Sequence, residues 1–304
     1  MTIINFAMRN NINLLKTTCI FFAVVTSVLL FSRPALAIRI GLFTNASYAQ
    51  VAVSQVGSFV DGYTGRKVSD AEPMKVYIIK STGSGLSITI NGKSYNANSN
   101  YLVLRSGSSG FVFTKKHWYR GSLIVFNTGS GVTVVNDLDL ESYMLGVVPS
   151  EMPSRWNIEA HKAQAVAARS YAIANLGKRS KYGYDLKDTP EDQAYGGASA
   201  ETTRTNQAVI DTKGQVLVYG NKVIPAYYHS SSGGYTINSG AVWVKDLPFV
   251  KSVPSFDGNL PKRGHGVGMS QHGANILANY GYNAYQILGY FYQNVRLYRI
   301  DKPI

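Results

Sequence analysis

The chain reads as an α+β protein in which an N-terminal β-rich meander packs with a mixed α/β part containing one long alanine-rich helix. Three observations predict this. Short β-rich runs broken by glycine, serine and asparagine fill Ile38 to about Asn136. An alanine-rich stretch from Ile158 to Leu176 is bracketed by residues suited to start and stop a helix. No repeat, low-complexity tract or separating linker occurs, so one compact unit is expected.

Arg9 and Lys16 precede an apolar run from Thr17 to Phe31, which ends in Ser32-Arg33-Pro34-Ala35-Leu36-Ala37. This pattern predicts a signal peptide over 1–37, cleaved after Ala37, and hence export to the periplasm or cell wall. An uncleaved anchor is the other reading, and would be the chain's only tie to a membrane. The run is shorter than the roughly 20 residues that a spanning helix needs. Cys19, the single cysteine, would leave with the signal, which excludes cysteine catalysis and thiolate metal sites in the remainder. Removing three basic residues (Arg9, Lys16, Arg33) from a net charge of +13 leaves +10, which favours an acidic partner. Export disfavours nucleic acid, leaving anionic lipid or a carboxylate-bearing cell wall. The basic residues are scattered, as on an ordinary solvated surface.

In the β-rich part, 38–135, strands are expected at 39–43, 74–79, 86–90, 101–104, 110–113 and 122–126, with Asn91-Gly92 as a hairpin turn. The remaining part, 136–304, begins near Leu140. There Glu151 stands between Pro149 and Pro153, read as the point where a strand gives way to the long helix. Met152 and Trp156 beside it would desolvate its carboxyl, raise its pKa and suit it to general acid catalysis. The plainer reading is an acidic residue stabilised by a helix start. Asn157 caps the long helix, Glu159 sits in its first turn and Gly177 closes it. Ala163, Ala167, Ser170 and Ala174 share a face that another element can approach closely. Beyond a polar segment (185–206), two strand-like runs (214–219 and 223–228) precede a glycine-rich region. The end, 271–292, reads as two helical pieces broken around Gly281.

Gly264-His265-Gly266-Val267-Gly268-Met269-Ser270-Gln271-His272-Gly273-Ala274 fits neither a phosphate loop nor a helical zinc-protease motif. His265, His272 and His229 can be read as a three-histidine metal site or as hydrogen-bonded structural residues. Ser230 to Ser232 beside His229 prompt the thought of a serine nucleophile, but the Gly-x-Ser-x-Gly elbow is absent. The late tyrosines, 280, 282, 285, 290 and 292, suit either sugar stacking or core packing with exposed hydroxyls.

Several long segments resemble one family. They are 136–143 with 146–153, 162–172, 192–197, 205–209, 214–217, 228–236 and 265–274, which together cover most of residues 120 to 295. In this order they resemble the SpoIID/LytB family, which groups a sporulation lytic transglycosylase with LytB-type enhancers of cell-wall amidases. The resemblance implies Glu151 as the catalytic acid that cleaves glycan strands, with Arg169 as a second required residue. It implies peptidoglycan as substrate and an N-acetylmuramoyl-L-alanine amidase as a possible partner. Lys162 and Arg169 would hold wall carboxylates or orient Glu151. Gln164, Tyr171, His229, Ser230, His265, Ser270 and Gln271 are the expected substrate contacts. Some members bind zinc through cysteines near the His-Ser-Ser-Gly-Gly-type motif; serines stand there in this chain, so no metal or other cofactor is expected. Pro254 to Gly264 is short where the family commonly carries a longer insertion.

Overall fold

Alternating buried and exposed side chains carry the first hundred described residues through twelve short strands. The computed structural model describes residues 36–243 and 246–300, which cluster as one compact unit. All but the last two residues of the expected signal segment lie outside these. In chain order the strands are β1 (Ala37–Ala46), β2 (Ala49–Val53), β3 (Gly57–Asp61), β4 (Lys67–Ala71), β5 (Tyr77–Ser81) and β6 (Leu86–Ile90). They continue as β7 (Lys93–Asn96), β8 (Tyr101–Arg105), β9 (Val112–Thr114), β10 (His117–Tyr119), β11 (Ser122–Asn127) and β12 (Val132–Asp139). Helices α1 (Leu140–Glu151) and α2 (Ile158–Ala174) follow, then β13 (Leu186–Lys187), α3 (Thr203–Asp211), β14 (Gln215–Tyr219), β15 (Lys222–Val223) and β16 (Tyr228–His229). The last elements are β17 (Met269–Ser270), α4 (Gln271–Asn279), α5 (Ala284–Phe291) and β18 (Arg296–Arg299).

A seven-stranded sheet runs β13-β1-β12-β11-β8-β3-β4 and a six-stranded one β10-β9-β2-β5-β6-β7, so the meander is shared between two sheets. Val132 to Val135 of β12 are all buried, because this interior strand is covered on both faces. Asn91 and Gly92, both at positive φ, turn β6 into β7 as expected.

The segment before Glu151 is helix α1, which corrects the expected strand. Leu140, Tyr143, Met144, Val147 and Val148 are buried at i, i+3, i+4, i+7 and i+8, one face of a helix. The Asp139 side chain accepts from Ser142 N–H to cap it. Pro149 is tolerated in the last turn, where its missing N–H forfeits one bond. Helix α2 begins at its expected Asn157 cap and is buried on nearly all sides. Ala165, Ala168 and Ala172 pack into the core that the sheets share, while Ala160, Ala163 and Ala167 pack into a second core with α4 and α5. Small side chains all round let several elements approach its axis. On the predicted small-residue face, Ser170 Oγ accepts from Leu217 N–H of β14 at 2.8 Å. The end of the expected polar segment enters α3, capped by the Thr202 side chain, which accepts from Thr205 N–H.

Candidate active site

Glu151 ends α1 and points into a cleft of about 570 Å³. Its carboxylate meets three donors from three different segments. Oε1 accepts from Ala194 N–H at 2.8 Å and from the Tyr228 hydroxyl at 3.2 Å; Oε2 accepts from the Gln271 side-chain amide at 3.0 Å. Burial pushes the carboxyl above its ordinary value, and these three hydrogen bonds offset only part of that push. Two donors fill Oε1, whereas Oε2 receives one. The acidic proton therefore belongs on Oε2, the oxygen with a lone pair to spare.

A residue that sequence reasoning did not single out sets this geometry. Gln193 is fully buried, and its amide nitrogen donates to the Tyr228 hydroxyl at 2.9 Å and to the Ala168 carbonyl at 3.2 Å. Its oxygen accepts from Tyr143 at 3.3 Å. Because Gln193 donates to Tyr228, the single Tyr228 proton is left for Glu151. Burial keeps both phenols far above their ordinary pKa, so neither ionises beside the carboxylate.

The cleft walls are aromatic and charged. Tyr171, Tyr227, Trp243 and His265 line it, with Tyr227 and Trp243 ring centroids 4.4 Å apart and Trp243 to His265 5.2 Å. Lys178 and Arg263 bring positive charge, and Asp192 and Glu191 negative. Asp192 is committed elsewhere. Burial raises its carboxyl, but Arg179 Nε at 2.5 Å and Lys178 Nζ at 2.6 Å outweigh this and hold it below its usual range.

Of the expected site residues, the structure brings Glu151, Tyr171, His229, Ser230, His265 and Gln271 to one cleft. Four others do not line it. Arg169 is fully buried and clamps Glu141 of α1 in a bidentate pair, Nε to Oε1 at 2.9 Å and Nη2 to Oε2 at 2.8 Å. Its Nη1 donates to the carbonyls of Ala165 and Gln215. Expected contact with wall carboxylates is therefore corrected: Arg169 ties α2 to the helix that carries Glu151. Lys162 is paired with Glu159 and Asp211, and Gln164 is fully buried without a bonded side-chain atom among the described residues. Ser270 caps α4, donating to Asp257 at 2.6 Å and accepting from Gly273 N–H. Trp156 meets His272 edge to face and Met152 enters the second core, so neither desolvates Glu151 from within the cleft.

The donor set near His229 does not suit zinc. Its Nδ1 faces the Val267 carbonyl at 3.2 Å and its Nε2 meets Ser232 Oγ at 2.6 Å, which occupies both nitrogens. Burial, with His265 nearby, depresses its pKa to about 4, so the ring is neutral at pH 7. Asp257 is filled by Ser255, Ser270 and the N–H groups of Ser232 and Gly234. No cluster of three metal-ligating side chains occurs among the described residues. We expect prolonged EDTA treatment to leave the melting temperature unchanged and metal analysis of the purified protein to find substoichiometric zinc. A melting transition lowered by EDTA and restored by zinc would contradict this.

Residues 128–219 match the family model described as Stage II sporulation protein. An amidase enhancer of Bacillus subtilis (strain 168) is 48% identical over 105 residues, 34% of this chain and 14% of that protein. Stage II sporulation protein D of Bacillus amyloliquefaciens is 38% identical over 144 residues, 42% of each chain. An uncharacterized protein of Brachyspira hyodysenteriae is 35% identical over 168 residues, 55% of this chain and 46% of that one. The chain thus spans less than half the length of each of these relatives.

Proposed function

For a chain that carries a SpoIID/LytB-family domain, we propose a lytic transglycosylase that acts on peptidoglycan glycan strands after export to the cell envelope. The observation that carries the reading is one partly buried carboxyl, raised in pKa and held by three donors, on the wall of an aromatic cleft. In the forward step the Glu151 Oε2 proton passes to the glycosidic oxygen as the bond from muramic C1 to that oxygen breaks. The departing sugar takes the bond's electron pair. The muramic 6-hydroxyl oxygen then bonds to C1, and its proton returns to Oε2, leaving a 1,6-anhydro ring. No water enters, so one carboxyl serves as acid and then base, where an ordinary glycosidase uses two. That fits a cleft whose Asp192 is tied to two cations.

The apolar run and small-x-small ending before Ile38 support export. The test is digestion of intact and amidase-denuded peptidoglycan, with products read by mass spectrometry. Products ending in 1,6-anhydro-muramic acid are expected. Their absence on both substrates, with a folded protein, would sink the reading.

The 48% identity with a protein named amidase enhancer favours a second reading. In it the chain docks on glycan and stimulates an N-acetylmuramoyl-L-alanine amidase without cutting. Stimulation that survives loss of the Glu151 carboxyl would select it.

A further inference from the structure

Beside the cleft, segments 231–236 and 253–263 run together as an irregular antiparallel pair. Ser231 and Arg263 exchange backbone hydrogen bonds, Ser255 N–H donates to the Gly234 carbonyl, and Thr236 N–H to the Val253 carbonyl. One end of this pair belongs to the cleft, through Ser230, Arg263 and Gly264. The other end carries aromatic rings into solvent. Tyr235 is 66% exposed and Phe256 49%. Phe256 lies 5.8 Å from Tyr290, whose hydroxyl donates to the Pro254 carbonyl at 2.7 Å and fixes that ring against the pair.

Phe256 adopts φ of 64°. A bulky residue in this left-handed region is strained, and because half of its surface stays in water its contact with Tyr290 offsets only part of that strain. Presentation of the ring explains both facts. Arg263 at the cleft end and Lys262 next to it are exposed and without an acidic partner within salt-bridge distance among the described residues.

We propose that Tyr235, Phe256 and Tyr290 form an aromatic strip that extends the cleft and holds a further stretch of the same glycan strand. This rests on the glycan reading above. Sugar rings lay their C–H faces on aromatic rings, the tyrosine hydroxyls meet ring hydroxyls, and Lys262 and Arg263 meet carboxylates borne by the strand. Ser230 and Tyr235 are five residues apart, at most about 17 Å of chain, so the strip lies within reach of an oligomer seated in the cleft. Its consequence is length selectivity: long strands engage cleft and strip, short oligomers the cleft alone.

The test uses the Tyr235→Ala/Phe256→Gly double variant, because glycine keeps the left-handed backbone without strain while removing the ring. Both proteins also carry Glu151→Gln, so that nothing is cut. Binding is measured to fluorescently labelled amidase-denuded glycan strands and to tri-N-acetylchitotriose. Affinity for the strands should fall about tenfold while trisaccharide affinity stays constant. Equal strand affinity in the two proteins overturns the strip and leaves the glycan reading standing. If the parent protein binds neither probe, both fall. Retained strand binding with lost stimulation of an amidase would make the strip a protein-docking surface and overturn the proposal.

Discussion

On the proposed transglycosylase reading, Glu151→Gln should remove glycan cleavage, lowering the turnover of denuded strands by about 10²- to 10⁴-fold, the usual contribution of a positioned general acid. Glutamine keeps the shape and can still accept from Ala194 N–H and Tyr228, so glycan binding should persist. Stability moves the other way. The folded carboxyl has a raised pKa, so the native state holds its proton more tightly than the unfolded chain does, and ionisation at neutral pH works against folding. The variant should therefore melt above wild type at pH 7, and the gain should vanish as the pH falls below the ordinary glutamate range. On the proposed reading the same sign governs wild-type cleavage, which should decline as the pH rises through the Glu151 pKa because the acid form is lost. Initial rates across pH, alongside melting curves of both proteins, check this. An active glutamine variant would remove Glu151 from the mechanism.

Arg169→Met should unfold or severely destabilise the protein, by about 3–5 kcal/mol, although Arg169 does not itself line the cleft. The change leaves Glu141 without its bidentate partner and removes the side-chain donor to the Ala165 and Gln215 carbonyls. That is a large part of the 5–15 kcal/mol that typically separates folded from unfolded states. Removing both charges in Arg169→Met/Glu141→Leu should recover most of the loss, since an apolar pair of similar volume costs little where a lone charge costs much. Glycan cleavage should return with it. Urea midpoints for the single and double variants decide the matter. A double variant that is stable yet inactive would give Arg169 a direct chemical role.

Much of this was legible from residue order. Helix α2 follows from its Asn157 cap and alanine content, and the paired final helices from their periodicity about Gly281. The strand reading of α1 failed because Val147-Val148-Pro149 has β character locally, while the buried stripe from Leu140 to Val148 was present at helical spacing. Tertiary packing of that stripe overrode propensity. At the site, Glu151, Tyr171, His229 and Gln271 could be named in advance, but Gln193, Lys178 and Trp243 could not. Their parts depend on distances between segments far apart in the chain.

Composition and order alone determined the α+β class and the absence of thiol chemistry beyond Cys19, while Glu151 was singled out only through the family resemblance. Only the tertiary structure decided what surrounds that carboxyl. It brought Ala194, Tyr228 and Gln271 onto Glu151, and it turned Arg169 inward to Glu141. The reason is physical: a side chain's type sets which protons it can give or take, whereas burial and the direction of its partners set whether it does.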